Sequence, residues 1–327
     1  MKKNLIRFVG FFAGLSVFLA ATLGIVTFAV PDQFASSYQR ALVYQYDYYK
    51  TLGQNKVVFI GNSSLSFGFD LDLMEERTGR PCAILGNHAG LGLPYLLNMS
   101  KSNLQQGDIV VIEYSNADTI GSELLLTGLG NRLDMYRFIN PQDWDDIVRS
   151  YGTYFTKKLN YWQTGGYHAE GAYSADAYDK RGNMSIYRGE CTIPYPFTDE
   201  VARDYSWMNF YTDYDLDFIR VLNQYVASCK SIGAEVYFTR NCYLDESVKS
   251  TEEEILASDR ALAELLDAPL MSNTLDYIFG REYMYDRIQH CNTAGARKRT
   301  EQLFQDLCRY VDFGQDSNSE TAFRNPK

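Results

Sequence analysis

The hydrophobic pattern changes character along the chain. Phe8 to Val30 is a run of 23 residues without a charge. As a helix it would reach roughly 35 Å, against a bilayer core of about 30 Å. Ser36 to Lys50, rich in Tyr, Leu and Val, predicts a helix leading away from that run. From Lys56 onward, short β-branched runs alternate with helical periods. Lys56–Ile60, Cys82–Leu85, Ile109–Tyr114 and Glu235–Thr239 read as strands, the first stopped by Gly61 and the third preceded by a Gly107-Asp108 turn. Leu71–Thr78 and Leu93–Leu104 read as helices between them. Leu216, Ile219, Leu222, Val226 and Cys229 repeat at helical spacing up to Gly233, and Glu252–Leu266 and Thr293–Val311 read as helices after it. Strands alternating with helices predict an α/β fold whose parallel sheet is covered on both faces.

The alternation lapses between Ile120 and Asp213. This stretch holds all three tryptophans (Trp144, Trp162, Trp207) and a dense set of tyrosines. Rings stack on sugar faces, so a glycan-binding lid is one reading. The plainer one, favoured for any individual ring, is the core of a small subdomain. The organisation expected is a cytoplasmic stub and transmembrane anchor over 1–30, a linker helix over 31–55 and an α/β domain over 56–311. The domain carries an insertion over about 120–212, and a polar, flexible tail follows over 312–327.

Composition narrows the partners. With 31 basic and 41 acidic residues the net charge is −10. So acidic a chain lacks the general attraction to phosphate backbones, which argues against nucleic acid. A mean hydropathy of −0.30 excludes a polytopic membrane protein but permits one span. A cleaved signal peptide would have a shorter apolar region and a small-x-small site; Thr27-Phe28-Ala29-Val30-Pro31 is a poor one, which favours an uncleaved anchor. Lys2, Lys3 and Arg7 precede the run, and the first basic residue after it is Arg40. That bias keeps the N-terminus cytoplasmic and sends the remainder outside the cell membrane. The cysteines are Cys82, Cys191, Cys229, Cys242, Cys291 and Cys308. None forms a C-x-x-C pair, and the pairing is open, although an oxidising exterior permits disulfides. Most read as small buried apolar residues.

The chemistry concentrates at two places. The first predicted strand runs into Gly61-Asn62-Ser63-Ser64-Leu65-Ser66-Phe67-Gly68, and ligands of open α/β sheets collect at the carboxyl ends of strands. A serine there can bring Oγ and its own N–H to one reacting carbonyl, although serine-rich turns are also common helix caps. The histidines are His88, His168 and His290. His290 lies just before the last predicted helix with Asp286 four residues upstream, a spacing that lets a carboxylate fix the imidazole tautomer. A simple capped helix start is the alternative, and one His with one Asp makes a poor metal site.

These residues resemble a family. "VVFIGNSSLSFGFD", "GNHAGLGLPYLLN", "GDIVVIEYS" and "YDRIQHCNTAGARKRT" are similar to the motifs of SGNH/GDSL hydrolases. The closer resemblance is to the membrane-anchored branch that transfers D-alanine to teichoic acids and O-acetyl groups to alginate. The resemblance implies a flavodoxin-like fold, Ser63 as nucleophile and His290 as base oriented by Asp286. It also implies an oxyanion hole of the Ser63 N–H and Gly90, and needs no cofactor. Two departures stand out: three residues separate Asp286 from His290, as in the surface-polysaccharide branch, and Tyr114-Ser115-Asn116-Ala117-Asp118 replaces the usual Gly-x-Asn-Asp. Asn116 is a candidate third oxyanion donor. Asn62 and His88 are candidate site-lining residues, with loop stabilisation an equal role for His88. The implied function is a serine ester hydrolase or O-acyltransferase outside the cell. Its acceptor would be a cell-surface glycan and its partner a polytopic acyltransferase. The alternative is a non-catalytic accessory protein that binds a glycan or such a partner.

Overall fold

The computed structural model describes residues 2–29, 31–115 and 121–314. Helix α1 (Lys2–Gly24) continues through a π turn at Ile25–Ala29. Within Lys3–Thr27 the most apolar stretch of 18 residues has a mean hydropathy of 2.2 and is almost wholly exposed, so this helix is long and apolar enough to cross a membrane. Helix α2 (Ala41–Tyr49) enters through a turn capped by Ser37. It is no free linker. Leu42, Val43, Tyr46 and Tyr49 are buried in the main core, which makes α2 part of the globular body.

Strand β1 (Val57–Ile60), helices α3 (Ser63–Phe67) and α4 (Leu71–Thr78), strand β2 (Cys82–Leu85), helix α5 (Leu93–Ser100) and strand β3 (Ile109–Glu113) follow in order. The insertion contributes α6 (Ser122–Leu129), α7 (Trp144–Thr164) and α8 (Ala202–Tyr205). Then come α9 (Leu216–Ser231), strands β4 (Glu235–Thr239) and β5 (Tyr243–Leu244), α10 (Glu252–Leu265), β6 (Ile278–Phe279) and α11 (Thr293–Cys308). The main sheet is parallel throughout in the order β2-β1-β3-β4, with Val57 aligned to both Cys82 and Ile109 and Ile109 to Glu235. Leu270 adds a single parallel bridge to Phe238 at the outer edge, and β5 pairs with β6 separately.

Alternation along each strand sorts side chains to the two faces. Val58, Ile60, Val110 and Ile112 pack toward α2, α5 and α9. Val57, Phe59, Ile84 and Val111 pack toward α4 and α11, against Met74, Leu303 and Leu307. At the amino ends of the strands Lys56 and Asp108 form a fully buried ion pair of 2.5 Å. At the carboxyl ends the chain must come very close to itself. Gly86 has φ +120°, and a Cβ there would lie 1.9 Å from the Gly61 carbonyl oxygen. Only glycine fits that approach.

The insertion is more regular than the sequence pattern predicts, since α7 alone spans 21 residues. Its rings divide between buried and exposed. Tyr154 is buried and stacks on Phe34, whereas Trp162, Tyr187 and Tyr195 are exposed. As expected of most cysteines, Cys82, Cys229, Cys242 and Cys291 are buried; Cys191 is partly buried and Cys308 exposed. Of the tail expected over 312–327, residues 315–327 lie outside the described residues.

Candidate active site

Ser63 is the first residue of α3, directly beyond the end of β1. Asn62 caps this short helix: its Oδ1 accepts the Ser64 N–H at 2.7 Å. Such a cap satisfies an otherwise orphaned donor and fixes the angle at which the turn leaves the strand. Beneath it lies Arg299 of α11, fully buried and ion-paired with Glu113 at the end of β3. Arg299 also donates to the Ser64 carbonyl at 2.7 Å and to the Arg240 carbonyl at 3.3 Å. One guanidinium therefore ties the Ser63 turn to the ends of β3 and β4.

His290 arrives from the opposite end of the sequence. Its Nε2 is 2.9 Å from Ser63 Oγ, across 227 positions of chain. Its Nδ1 is 2.9 Å from Asp286 Oδ1. The three residues between Asp286 and His290 do not disrupt this geometry, because they form a closed turn. The Tyr285 N–H donates to the His290 carbonyl at 2.8 Å, and the His290 N–H to the Arg287 carbonyl at 3.0 Å. Asn292 then caps α11 by accepting from the Gly295 N–H at 2.9 Å. Phe67, on the last position of α3, stacks on the imidazole at 4.0 Å between centroids and 11° between planes, leaving the ring little freedom to turn.

Tyr173, from the insertion, donates its hydroxyl to Asp286 Oδ2 at 2.6 Å, on the oxygen away from His290. Burial pushes the Asp286 carboxyl upward. The His290 hydrogen bond and charge, followed by the Tyr173 hydroxyl, outweigh it and hold the group below the ordinary carboxylate value. An ionised Asp286 accepting from Nδ1–H leaves Nε2 free to take a proton from Ser63.

His88 lines the same cavity of about 500 Å³ as Ser63, His290, Tyr38 and Tyr173. Burial, then the proximity of His290, lower its pKa, so it is neutral near pH 7. Its Nδ1 accepts the Gly90 N–H at 2.9 Å, which puts the imidazole proton on Nε2. This bond corrects the expectation for Gly90: its amide is spent on His88 rather than presented to a reacting oxygen. Both expected roles of His88 are thus visible, since it lines the cavity and steadies the glycine loop. Asn62 lines an adjoining cavity of about 380 Å³ together with Tyr114, Tyr211, Tyr214 and Arg240. The two cavities share Met208 and Gln289. Asn116 lies outside the described residues. His168 is exposed on the insertion.

Sequence reading missed Tyr173, Phe67, Glu113 and Arg299. Arg299 had a legible signal: it stands at helical spacing before Leu303 and Leu307, a charge on the apolar face of its helix. Glu113 had one too, a carboxylate ending an otherwise apolar strand. Tyr173 had none among so many tyrosines. Among the described residues, no group of three or more His, Cys, Asp or Glu could hold a metal ion. Compared with family models and with curated proteins, the chain matches none.

Proposed function

We propose that this protein is a serine acyl-ester hydrolase or O-acyltransferase of SGNH/GDSL type, anchored by α1 with its globular body outside the cell. The observation that carries the reading is the relay Ser63 Oγ–His290 Nε2 and His290 Nδ1–Asp286 Oδ1, both steps at 2.9 Å. The strand order β2-β1-β3-β4, with Leu270 beside β4, supports the flavodoxin-like arrangement expected of such enzymes.

In the proposed reaction Ser63 Oγ attacks an ester carbonyl as His290 Nε2 takes its proton. Asp286 holds the Nδ1–H and stabilises the imidazolium that forms. The Ser63 N–H, the Asn62 side-chain amide and the His88 Nε2–H are the donors available to the oxyanion; one such donor is typically worth about 3 kcal/mol of barrier. His290 returns the proton to the departing alcohol. The acyl group then passes from Ser63 to water or to a glycan hydroxyl. The adjoining cavity, with its tyrosines, amide groups and Arg240, supports the glycan as acceptor. Delivery of acyl groups by a polytopic membrane partner is part of the same reading.

Labelling by a fluorophosphonate tests it. Wild-type protein should be labelled and Ser63→Ala should not, with His290→Ala labelled far more slowly. Equal labelling of wild type and Ser63→Ala would remove Ser63 as nucleophile.

A further inference from the structure

We propose that Cys242 and Cys291 are joined as a disulfide in the mature protein, clamping the turn that carries His290 to the chain leaving β4. Their Sγ atoms are 3.2 Å apart, across 49 positions of sequence, about 1.2 Å beyond bonding distance. Both residues are fully buried. The surroundings already hold the two segments side by side. Cys242 Sγ donates to the Gln289 carbonyl at 3.1 Å, and the Leu244 N–H donates to the Ile288 carbonyl at 2.7 Å. The other sulfurs are engaged elsewhere: Cys82 with Thr78 and the Arg80 carbonyl, Cys191 with Arg281, and Cys229 with Tyr225. Cys308 is exposed on α11.

The place of the pair gives the bond its consequence. Cys291 directly follows His290, and Cys242 Sγ lies 3.6 Å from Ser64 Oγ, beside the nucleophile. A bond here would fix the base relative to α3 without touching the cavity. Formation removes two protons and two electrons from the thiols. The oxidant is a disulfide of the thiol-oxidoreductase class, acting during folding, before the sulfurs are buried. One cysteine thiolate attacks the oxidant's disulfide and releases one of its thiolates. The second cysteine then attacks the mixed disulfide and releases the other, leaving the oxidant as a dithiol.

The proposal rests on the outward placement of the globular body, and the test separates the two. The full chain is extracted from its membrane with iodoacetamide present from lysis, denatured and mapped by mass spectrometry. The expected result is alkylation at four of the six cysteines, with Cys242 and Cys291 in one linked pair of peptides. In a second arm the reduced full chain, in detergent, is equilibrated with glutathione and glutathione disulfide. The same pair should form there, and dithiothreitol should lower Tm by roughly 5 °C. A Cys242→Ala/Cys291→Ala variant should show no response to dithiothreitol. Linkage in the second arm alone supports the pairing and counts against the outward placement. Alkylation of both cysteines in both arms overturns the proposal. Neither readout needs activity, so failure of the esterase reading would leave this result standing.

Discussion

Asp286 uses its two carboxylate oxygens for different partners, His290 on one and Tyr173 on the other. Replacing it by Asn keeps the shape but removes the charge that selects the tautomer, so kcat/KM on an activated ester should fall roughly 10⁴-fold. A loss below tenfold would reduce the site to a Ser63–His290 dyad. Tyr173→Phe is the finer probe. Because the Asp286 pKa is depressed in the fold, its contribution to stability is present above the unfolded value of about 3.9 and is lost as pH falls through the folded value. Without the tyrosine hydroxyl that folded value rises, so acid unfolding should begin at higher pH than in wild type. Identical Tm-against-pH curves from pH 2 to 6 would assign Tyr173 no part in holding the carboxylate. At this scale Ser63, His290 and Asp286 were legible because so few histidines are available and one has a carboxylate close by in sequence. The Gly90 expectation failed because an amide's direction depends on a turn that His88 itself closes.

At the scale of elements, the four main strands are found within a residue of where β-branched runs place them. A buried parallel strand has little choice of residue, so its signal is strong. Helix α7 was invisible for the opposite reason. Its inner stripe is Ile147, Tyr151, Tyr154, Lys158 and Tyr161, at helical spacing but mostly of residues that also suit water. Lys158 is buried, its ammonium donating to the Thr27 carbonyl at 2.8 Å. The junction of α3, β3 and α11 depends on the Arg299–Glu113 pair. Arg299→Met would leave Glu113 buried without its counter-charge, and destabilisation of about 3–5 kcal/mol is expected in urea unfolding. The double variant Arg299→Met/Glu113→Leu should recover much of that stability but not wild-type fluorophosphonate labelling, because the Ser64 carbonyl then keeps only the Gly68 N–H, within its own turn, and loses its tie to α11. A single variant within 1 kcal/mol of wild type would show that the pair contributes little.

For the whole molecule, the apolar surface of α1 sets where it can reside. The expected outcome is retention in the membrane pellet after carbonate extraction, with the body digested by protease added to intact cells. Recovery in the soluble fraction, or full protection of the body, would overturn that placement.

The chain just past α1 is also woven into the insertion. The Tyr167 N–H donates to the Gln33 carbonyl, the Ala175 N–H donates to the Ser36 carbonyl, and Ser37 bridges Ser174, the neighbour of Tyr173. This governs how a soluble version should be cut. A chain starting at Asp32 keeps the brace behind Tyr173, whereas one starting at Ala41 discards it while sparing every residue of the relay. The shorter protein should therefore fold around an intact sheet yet react sluggishly with esters, and a crystallographer choosing between the two should take the longer.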